Sequence, residues 1–504
     1  MADDVVEELV PSYDPTPVIK KLMTTLYNDI DRLKLLDRYR RGDHDLPFLP
    51  NSEDPELKAF MEKSILNLMD HAVETPAEKL YVDSVRPGRK VEEDDTQTLP
   101  EWEHWQLSRL DSRQTQIYMS ALTFGHCFTL TEKRGGKIQT KSLSPMMTSA
   151  LYADPANDET PYAAFTVAIW PDDNNGWGEA RAWDDVYEYL VLFKNLADLT
   201  AESLAVGIVG RHGASACPVT RFAAYVDTEG RTLGVVEPLI ALQNRINQTN
   251  YHTLSIEASG AYKVKTISGM APPIKHERVL DQDGNYKFEP MYDDNGQPII
   301  DKLRINPAMV LWSEDSDTKF GTMDATPLDG YLQALKDAIR QFTSKSRVPP
   351  HFMLGEIANL SADALQALSE ALESRVGSFR ATFGESWERV FRLAAELNGI
   401  KEAVDDYKIE VLWRDTRSLS LVGVADGIQK LATAGFPLKG LLDMIPGITD
   451  TQKREWLAFM EEDAQKLKDE NAQVALAKSI SQASATAGRP KPAAKPAAKA
   501  DKVP

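Results

Sequence analysis

Apolar residues recur every three or four positions over several long stretches of the chain, a pattern that predicts amphipathic helices. The clearest stripe predicts one long helix over 361–398, with Ser361 as its N-cap. Two or three helices are predicted near the C-terminus, up to about residue 482. The same periodicity predicts helices at 16–41, 55–80, 104–124, 235–258 and 326–346. The long stripe consists of Leu365, Leu368, Leu372, Val376, Phe379, Phe383, Trp387, Val390, Ala394 and Leu397.

Alternation of apolar and polar residues replaces the helical pattern from Cys127 onward and predicts antiparallel strands. The segment CFTLTEKRGGKIQTKSL predicts a hairpin that turns at Gly135 and Gly136. A meander of strands follows to about residue 194. We therefore expect 104–234 to form an α/β unit in which antiparallel strands dominate.

A second β-rich segment is predicted at 260–320, where short strands are separated by turn sequences at 281–285 and 293–297. One further strand is predicted at 407–413. Helices and antiparallel strands occupy separate stretches of the chain, so the predicted class is α+β. The helix predicted at 235–258 is rich in Gln and Asn, which is unusual for a helix meant for a dry core.

The stretch RYRRGDHDLPF at 38–48 combines an Arg-Gly-Asp tripeptide with an Asp-His-Asp group. We interpret it as the end of the first helix: a basic last turn, Gly42 as the cap, and an exit limited by Pro47. A metal site is the alternative interpretation, although no distant ligand can be named from the sequence.

Pro349 and Pro350 end the helix predicted at 326–346, because proline cannot continue a helix. A loop is therefore expected over 347–360. The basic residues before it are spaced by four and seven, so they would share one face if the helix continued. Both a solvated face and a channel lining remain open for these residues, which are Lys336, Arg340 and Arg347, with Lys345 beside them.

The chain has 504 residues, 57 Lys and Arg against 76 Asp and Glu, and a formal net charge of −19. This length predicts two to four sub-domains, and the charge argues against tight binding of nucleic acid. No apolar run reaches the roughly 18 residues of a membrane span, and no signal-peptide pattern is present, so a cytosolic-type compartment is expected. The Ala-, Pro- and Lys-rich segment at 483–504 is expected to be disordered.

Motifs that carry chemistry are missing from the sequence. There is no phosphate-binding loop, H-E-x-x-H, G-x-S-x-G or dinucleotide fingerprint. The segment beginning at Asp281 resembles a calcium loop but has Tyr292 where the twelfth position needs an acid. His126 and Cys127 are neighbours on a predicted strand and would point to opposite faces, as a packed thiol and a surface imidazole. No catalytic, cofactor or metal residues are assigned.

Several segments, in their order along the chain, resemble the portal protein of tailed bacteriophages, in the form found in siphophages of actinobacteria. Two departures, Asp45 and Ala362, lie at loop or cap positions. The matching segments cover about 400 residues and are LDRYRRGDHDLPFLP, KLYVDSVR (79–86), 217–253, 310–372, FGESWERVFRLA (383–394) and 411–437.

The resemblance implies a portal fold with the following parts: a wing at 1–234, stem helices at 235–258 and 323–346, a clip at 259–322, a tunnel loop at 347–360, a long helix and strand of the wing at 361–413, a crown at 414–482 and a disordered tail at 483–504. It also implies that the basic residues Lys336, Arg340, Lys345 and Arg347 face DNA. The tunnel-loop residues would be Val348, Pro349, Pro350, His351, Phe352, Met353, Leu354 and Gly355.

The resemblance further implies a ring, usually of twelve copies, that serves as the conduit for packaging and ejection of double-stranded DNA at one capsid vertex. Its expected partners are DNA, bound transiently and without sequence preference, the terminase large subunit, the head–tail adaptor, and the major capsid and scaffolding proteins. It would assemble in the host cytoplasm and reside in the virion, with no membrane, cofactor or catalytic role. The alternatives are another ring component of the virion and a DNA-handling enzyme with an unrecognised site.

Overall fold

The computed structural model describes most of the chain in fifteen stretches. These are 13–48, 55–88, 100–171, 176–261, 265–268, 274–280, 286–293, 296–300, 317–322, 327–355, 362–414, 421–442, 445, 448 and 450–487.

Helices and strands alternate in blocks along these stretches, which confirms the α+β class. The helices are α1 (Thr16–Arg40), α2 (Pro55–Lys63), α3 (Met69–Glu78), α4 (Pro100–Leu107), α5 (Leu110–Phe124), α6 (Ile240–Ala261), α7 (Asp329–Ser346), α8 (Pro350–Leu354), α9 (Ala362–Asn398), α10 (Lys401–Val404), α11 (Leu421–Thr433), α12 (Leu438–Leu441) and α13 (Asp450–Ala487). The strands are β1 (Val82–Arg86), β2 (His126–Arg134), β3 (Lys137–Leu143), β4 (Thr148–Leu151), β5 (Ala163–Ile169), β6 (Gly178–Trp183), β7 (Tyr187–Phe193), β8 (Leu204–Arg211), β9 (Val219–Ala223), β10 (Lys265–Ser268), β11 (His276–Leu280), β12 (Tyr286–Pro290), β13 (Lys319–Thr322) and β14 (Glu410–Trp413).

The chain divides into two units. The first comprises Met1–Glu78 with Leu99–Asp405, and the second comprises Lys79–Thr98 with Asp406–Pro504. In the second unit β1 and β14 form an antiparallel pair, and α11, α12 and α13 follow.

The predicted meander is confirmed by β5, β6 and β7. They belong to a five-stranded antiparallel sheet in the order β4-β5-β6-β7-β8, whose outer strands β4 and β8 were not predicted. The apolar face of α1 covers it, with Leu22 and Met23 fully buried among sheet residues such as Phe165 and Phe193. A second sheet has the order β3-β2-β9. Its β2–β3 turn is the predicted one, because glycine tolerates the positive φ found at both central positions.

The long predicted helix is confirmed as α9, and it organises the aromatic core of the first unit. Trp387 is fully buried, 4.8 Å from the ring of Trp105 and 4.6 Å from the ring of Phe222. Its indole N–H donates to the hydroxyl of Tyr118 at 2.7 Å. The burial of these large rings stabilises the packing of α9 against α4, α5 and β9. The side chains of Leu365 and Leu368 lie outside the described residues.

Two predicted helices are each divided in the structure. The helix predicted at 55–80 is interrupted at 64–68 between α2 and α3. The one predicted at 104–124 is interrupted between α4 and α5, where Arg109 has a left-handed φ of 55°. The indole of Trp105 bridges this second break by donating to Asp111 at 2.8 Å.

The β-rich segment predicted at 260–320 contains two antiparallel pairs, β10 with β13 and β11 with β12. The predicted turn at 293–297 has Gly296 at a φ of 75°. The other predicted turn, 281–285, which begins the calcium-like sequence, lies outside the described residues. Within this segment the described strands find partners inside the chain.

The C-terminal prediction was wrong in part. Disorder was expected from residue 483, but α13 continues as helix to Ala487, because its Ala- and Gln-containing sequence favours helix beyond the point where apolar periodicity ends. Residues 488–504 lie outside the described part of the chain. Among the described residues, no helix is both long and apolar enough to cross a membrane.

Candidate functional site

The candidate site is the end of α7 together with α8, where the sequence places its basic and loop residues. One face of α7 is buried through Ala338, Ile339 and Phe342. Lys336 and Arg340 are one turn apart on an exposed face of this helix. The helix therefore brings these two cations together, as their spacing predicts.

The other two basic candidates do not share this face. Lys345 is exposed but lies about 140° around the helix from Arg340, since each residue turns the helix by about 100°. Arg347 follows the last helical residue and has a left-handed φ of 56°. The helix does not continue, so the condition under which Arg347 would join the face of Lys336 and Arg340 is not met.

Arg340 forms an ion pair with Asp337 on the same helix, with 3.1 Å between nitrogen and oxygen. Both side chains are half-exposed, at 56% and 50%. An exposed pair of this kind is weak, on the order of 0.3–0.5 kcal/mol, and is screened further by salt. The guanidinium of Arg340 can therefore exchange Asp337 for an anion from solution at small cost.

The end of α7 is held by a cation from α9. Arg375 donates to the carbonyl oxygen of Ser346 at 2.6 Å, next to the left-handed Arg347. The hydroxyl of Ser346 donates to the carbonyl of Thr343 at 3.2 Å, and the hydroxyl of Thr343 donates to the carbonyl of Arg340 at 2.8 Å. The carbonyls of Thr343 and Ser346, two of the last four of the helix, thus obtain side-chain partners in place of the main-chain N–H groups that they lack.

Burial lowers the pKa of Arg375 to about 10, and the positive charge of Arg347 adds to this effect. Its guanidinium also lies 5.5 Å from the ring centre of Phe379, one turn further along α9. Sequence reasoning missed this residue. Its signal was a single Arg beside Val376 within the apolar stripe, a position that is explained more simply as the border of the stripe.

The loop expected over 347–360 contains the short helix α8. Pro350 takes the first helical position, where its missing N–H costs nothing. The helix ends at Gly355, which has a φ of 66° and donates its N–H to the carbonyl of His351 at 3.2 Å. Residues 356–360 lie outside the described part.

The loop residues fall into three groups by exposure. Val348 and Pro349 are buried and fix the start of the segment, whereas Phe352 and Gly355 are exposed. Phe352 is 50% exposed, and its ring lies 4.5 Å from that of His351. The remaining residues are half-buried, and they are Pro350, His351, Met353 and Leu354.

Two side-chain amides of α6, Gln243 and Asn247, hydrogen-bond to the main chain of the interruption between α2 and α3. We call these two residues, with their main-chain partners Leu66 and Leu68, the amide clamp. Both side chains are fully buried. Gln243 accepts from the N–H of Leu68 at 3.1 Å and donates to the carbonyl of Leu66 at 2.6 Å. Asn247 accepts from the N–H of Leu66 at 3.2 Å and from the amide of Gln243 at 2.9 Å. These amides have partners in their own chain and do not call for a neighbouring helix.

The Asp-His-Asp stretch is attached to the same clamp. His44 donates from Nε2 to the carbonyl of Tyr39 at 2.9 Å and accepts at Nδ1 from Asn247 at 3.0 Å. Burial lowers the pKa of His44, so the ring is neutral. Gly42 has a φ of 84°, which confirms the predicted helix cap. In the stretches that the structure describes, no group of three His, Cys, Asp or Glu could hold a metal ion.

Helices α6 and α7 are joined by a direct contact. Arg245 donates to the side-chain oxygen of Gln341 at 2.6 Å. Because the amide clamp lies on the same helix as Arg245, one element connects the stretch at 44–68 to the helix that carries Lys336 and Arg340.

His126 and Cys127 do not form a nucleophilic pair. Nδ1 of His126 lies 2.8 Å from the hydroxyl of Thr232, and burial lowers the pKa of this imidazole to about 3. A surface imidazole was predicted for His126, but the structure shows it half-buried. Cys127 is buried, as predicted, and burial raises the pKa of its thiol to about 11. A buried thiol with a raised pKa is a packing group.

Residues 19–475 match the family described as Phage portal protein, SPP1 Gp6-like, and the chain therefore belongs to this family of structural components of phage particles. The resemblance seen in the sequence is confirmed. Two relatives share its name: the portal protein of Mycobacterium phage D29 is 29% identical over 140 residues, and that of Mycobacterium phage L5 is 26% identical over 177 residues.

These matches span only part of each protein. They cover 27% and 34% of this chain and 28% and 35% of the D29 and L5 proteins, respectively. A solved structure described as the neck of an empty GTA particle, computed with C6 symmetry, aligns with 78% of this chain and 93% of its own. It shares 11% identity, with a TM-score of 0.38.

Proposed function

We propose that this chain is the portal subunit that forms a closed ring at one capsid vertex, through which double-stranded DNA enters during packaging and leaves during ejection. Membership of the portal family over 19–475 is the observation that carries the proposal. We take the ring to contain about twelve copies, each using a head-to-tail interface, as closure of a ring requires.

Individual regions of the chain receive roles in this proposal. The region 1–234 with 361–413 is the wing, 235–258 and 323–346 are the stem, 347–360 is the tunnel loop, and 414–482 is the crown. The clip at 259–322 docks the terminase large subunit and later the head–tail adaptor. Major capsid and scaffolding proteins surround the ring as it assembles in the host cytoplasm.

Charge supports this role physically. Each copy carries a formal net charge of −19, so a ring of copies repels DNA overall. DNA can therefore lie inside the ring without adhering strongly to it. Each phosphate that a protein neutralises adds salt-dependent affinity, which in a conduit would act as drag. Lys336 and Arg340, exposed on one face of α7, are the residues we propose to meet the DNA backbone as it passes.

In this proposal the chain performs no catalysis, and the terminase supplies the chemical work. The competing function is a DNA-handling enzyme. Assays of ATP hydrolysis and nuclease activity on the purified chain separate the two, because turnover that follows the chain through purification would favour the enzyme.

The assembled mass tests the proposal directly. Native mass measurement, with electron microscopy of the same sample, is expected to show closed rings of roughly twelve times 56.1 kDa. Monomers under every assembly condition, in the presence of scaffolding protein as well as in its absence, would overturn it. Closed rings of another small, fixed number would keep the conduit and correct the copy number.

A further inference from the structure

Helix α13 carries a row of apolar side chains that face solvent. Met460, Leu467 and Val474 are 39%, 60% and 53% exposed, and Leu457, one turn before Met460, is half-buried. Apolar area of this size, in one row on a single helix, favours a partner that removes it from water.

The spacing of the row is that of a coiled-coil seam. Its positions follow gaps of three, four, three, four and three, and they are Leu457, Met460, Ala464, Leu467, Asn471 and Val474. Trp456 and Phe459, 44% and 62% exposed, widen the apolar face at the first turns of the seam. From Met460 onward the seam is narrow and suits one partner helix, whereas a helix buried among several neighbours needs a wider apolar face. The seam extends over roughly 25 Å, at a rise of about 1.5 Å per residue.

We propose that α13 pairs in parallel and in register with α13 of a second copy of this chain. Asn471 is the residue that selects this arrangement. In a parallel pair each Asn471 meets the other, and the two amides can hydrogen-bond within the seam. In an antiparallel pair centred on the same seam, Asn471 would lie opposite Met460, which leaves a buried amide against a thioether.

Charges beside the seam agree with the parallel arrangement. Asp463 precedes the seam residue Ala464, and Lys468 follows the seam residue Leu467. In a parallel coiled coil, residues in these flanking positions five apart face each other across the pair, so Asp463 of each helix meets Lys468 of the other. Antiparallel pairing would instead bring Asp463 near Glu470.

A seam of two and a half heptads is short, so isolated helices would pair weakly. Copies that are already held together raise the effective concentration of each helix for its neighbour. The pairing is therefore expected within assemblies of the full chain. This step rests on the proposed function in that several copies are held close. In a closed ring the helices pair two by two, in addition to the head-to-tail interface, so pairing of every α13 requires an even number of copies.

Cysteine cross-linking of the full chain tests the pairing. Leu467→Cys places a thiol in the seam, and Asp469→Cys is the matched control, about 200° further around the helix. Cys127 and Cys217 are buried, so a mild oxidant acts on the introduced thiol. A disulfide needs Cα atoms about 4.4–6.8 Å apart, which seam positions satisfy and outer positions do not. Covalent dimers are expected to be at least tenfold more abundant for Leu467→Cys than for Asp469→Cys.

The direction of the helices is tested by Val474→Cys. A parallel pair brings residue 474 next to its counterpart and gives covalent dimers, whereas an antiparallel pair separates the two by most of the seam. No dimers from Leu467→Cys, or equal yields from Leu467→Cys and Asp469→Cys, would overturn the pairing. Dimers from Leu467→Cys but none from Val474→Cys would overturn the parallel arrangement.

Native mass of the same samples separates this inference from the proposed function. Closed rings without seam cross-links would refute the pairing and leave the portal proposal standing. Seam cross-links in samples that never form rings would support the pairing and count against the portal proposal.

Discussion

His44 shows how one side chain decides between two interpretations of the same letters. In the sequence it stands between two aspartates, a setting that suggests a ligand. In the structure one ring nitrogen donates to the carbonyl of Tyr39 and the other accepts from Asn247. Both ring nitrogens have hydrogen-bond partners within the chain, so this stretch connects α1 to α6.

The neutral state of His44 predicts a pH dependence of stability. Burial keeps the pKa of His44 below its ordinary value of about 6.5, so the unfolded chain takes up a proton that the folded chain does not. The stability it contributes is present above about pH 6.5 and is lost as the pH falls below that value. His44→Gln is expected to flatten this loss.

Thermal unfolding midpoints at about pH 7.5 and about pH 5 measure the effect of His44. Part of the loss will remain in the variant, because burial also lowers the pKa of His126 and His212 and acts with the same sign. His71→Gln, at an exposed position, is the matched control. An unchanged difference between the two midpoints in His44→Gln would contradict the assignment.

At the scale of elements, the clearest contrast is between α9 and the broken helix α2–α3. The apolar stripe that predicts α9 lies entirely within the helix, so the sequence predicts the bounds of α9 almost to the residue. The interruption at 64–68 depends on Gln243 and Asn247, which lie more than 170 positions away along the chain. They occupy main-chain N–H groups that a continuous helix would need, so no local pattern could reveal the break.

The candidate site divides in the same way. Pro349 and Pro350 predict the end of α7. The four-residue spacing of Lys336 and Arg340 predicts that they share one face of the helix. The departure of Arg347 from that face depends on a left-handed turn supported by Arg375 of another helix. Contacts of that kind are made only after the chain has folded.

The amide clamp predicts a large effect from a small change. Gln243→Ala leaves the N–H of Leu68 and the carbonyl of Leu66 without their partners in a buried place, at a cost of about 1–3 kcal/mol in the free energy of unfolding. Chemical denaturation monitored by intrinsic fluorescence measures it. Gln333→Ala, on an exposed helix face, should change stability by less than about 0.5 kcal/mol. Equal effects of the two changes would show that the clamp does not stabilise the fold.

At the scale of the whole molecule, net charge and local charge have opposite signs. The chain is strongly acidic, while the exposed face of α7 offers two cations. Association with DNA is therefore expected to be weak and salt-sensitive, and to depend on few contacts. In the proposed conduit, such a balance would let DNA move in both directions.

Replacing the two cations tests this balance. Lys336→Gln with Arg340→Gln is expected to make DNA affinity less dependent on salt, by roughly 0.9 in the logarithmic slope for each phosphate that the variant no longer neutralises. The thermal midpoint should stay unchanged. Binding of random-sequence duplex DNA to assembled protein at several salt concentrations measures the slope.

The matched control for the two cations is Arg134→Gln with Lys137→Gln at the β2–β3 turn. Equal reductions of the salt-dependence slope in both double variants would contradict a specific role for the α7 cations in DNA binding. A fall in the thermal midpoint of the α7 variant would instead mark its cations as structural.

The amide clamp also has a mechanical meaning. Its hydrogen bonds cross from α6 to the main chain at successive positions along the helix, so a pull along the helix axis strains all of them together. A pull at right angles would open them one after another, at a much lower force. Helix α6 is thus expected to resist sliding more than peeling, which is the direction of strength that the proposed stem role beside moving DNA would require.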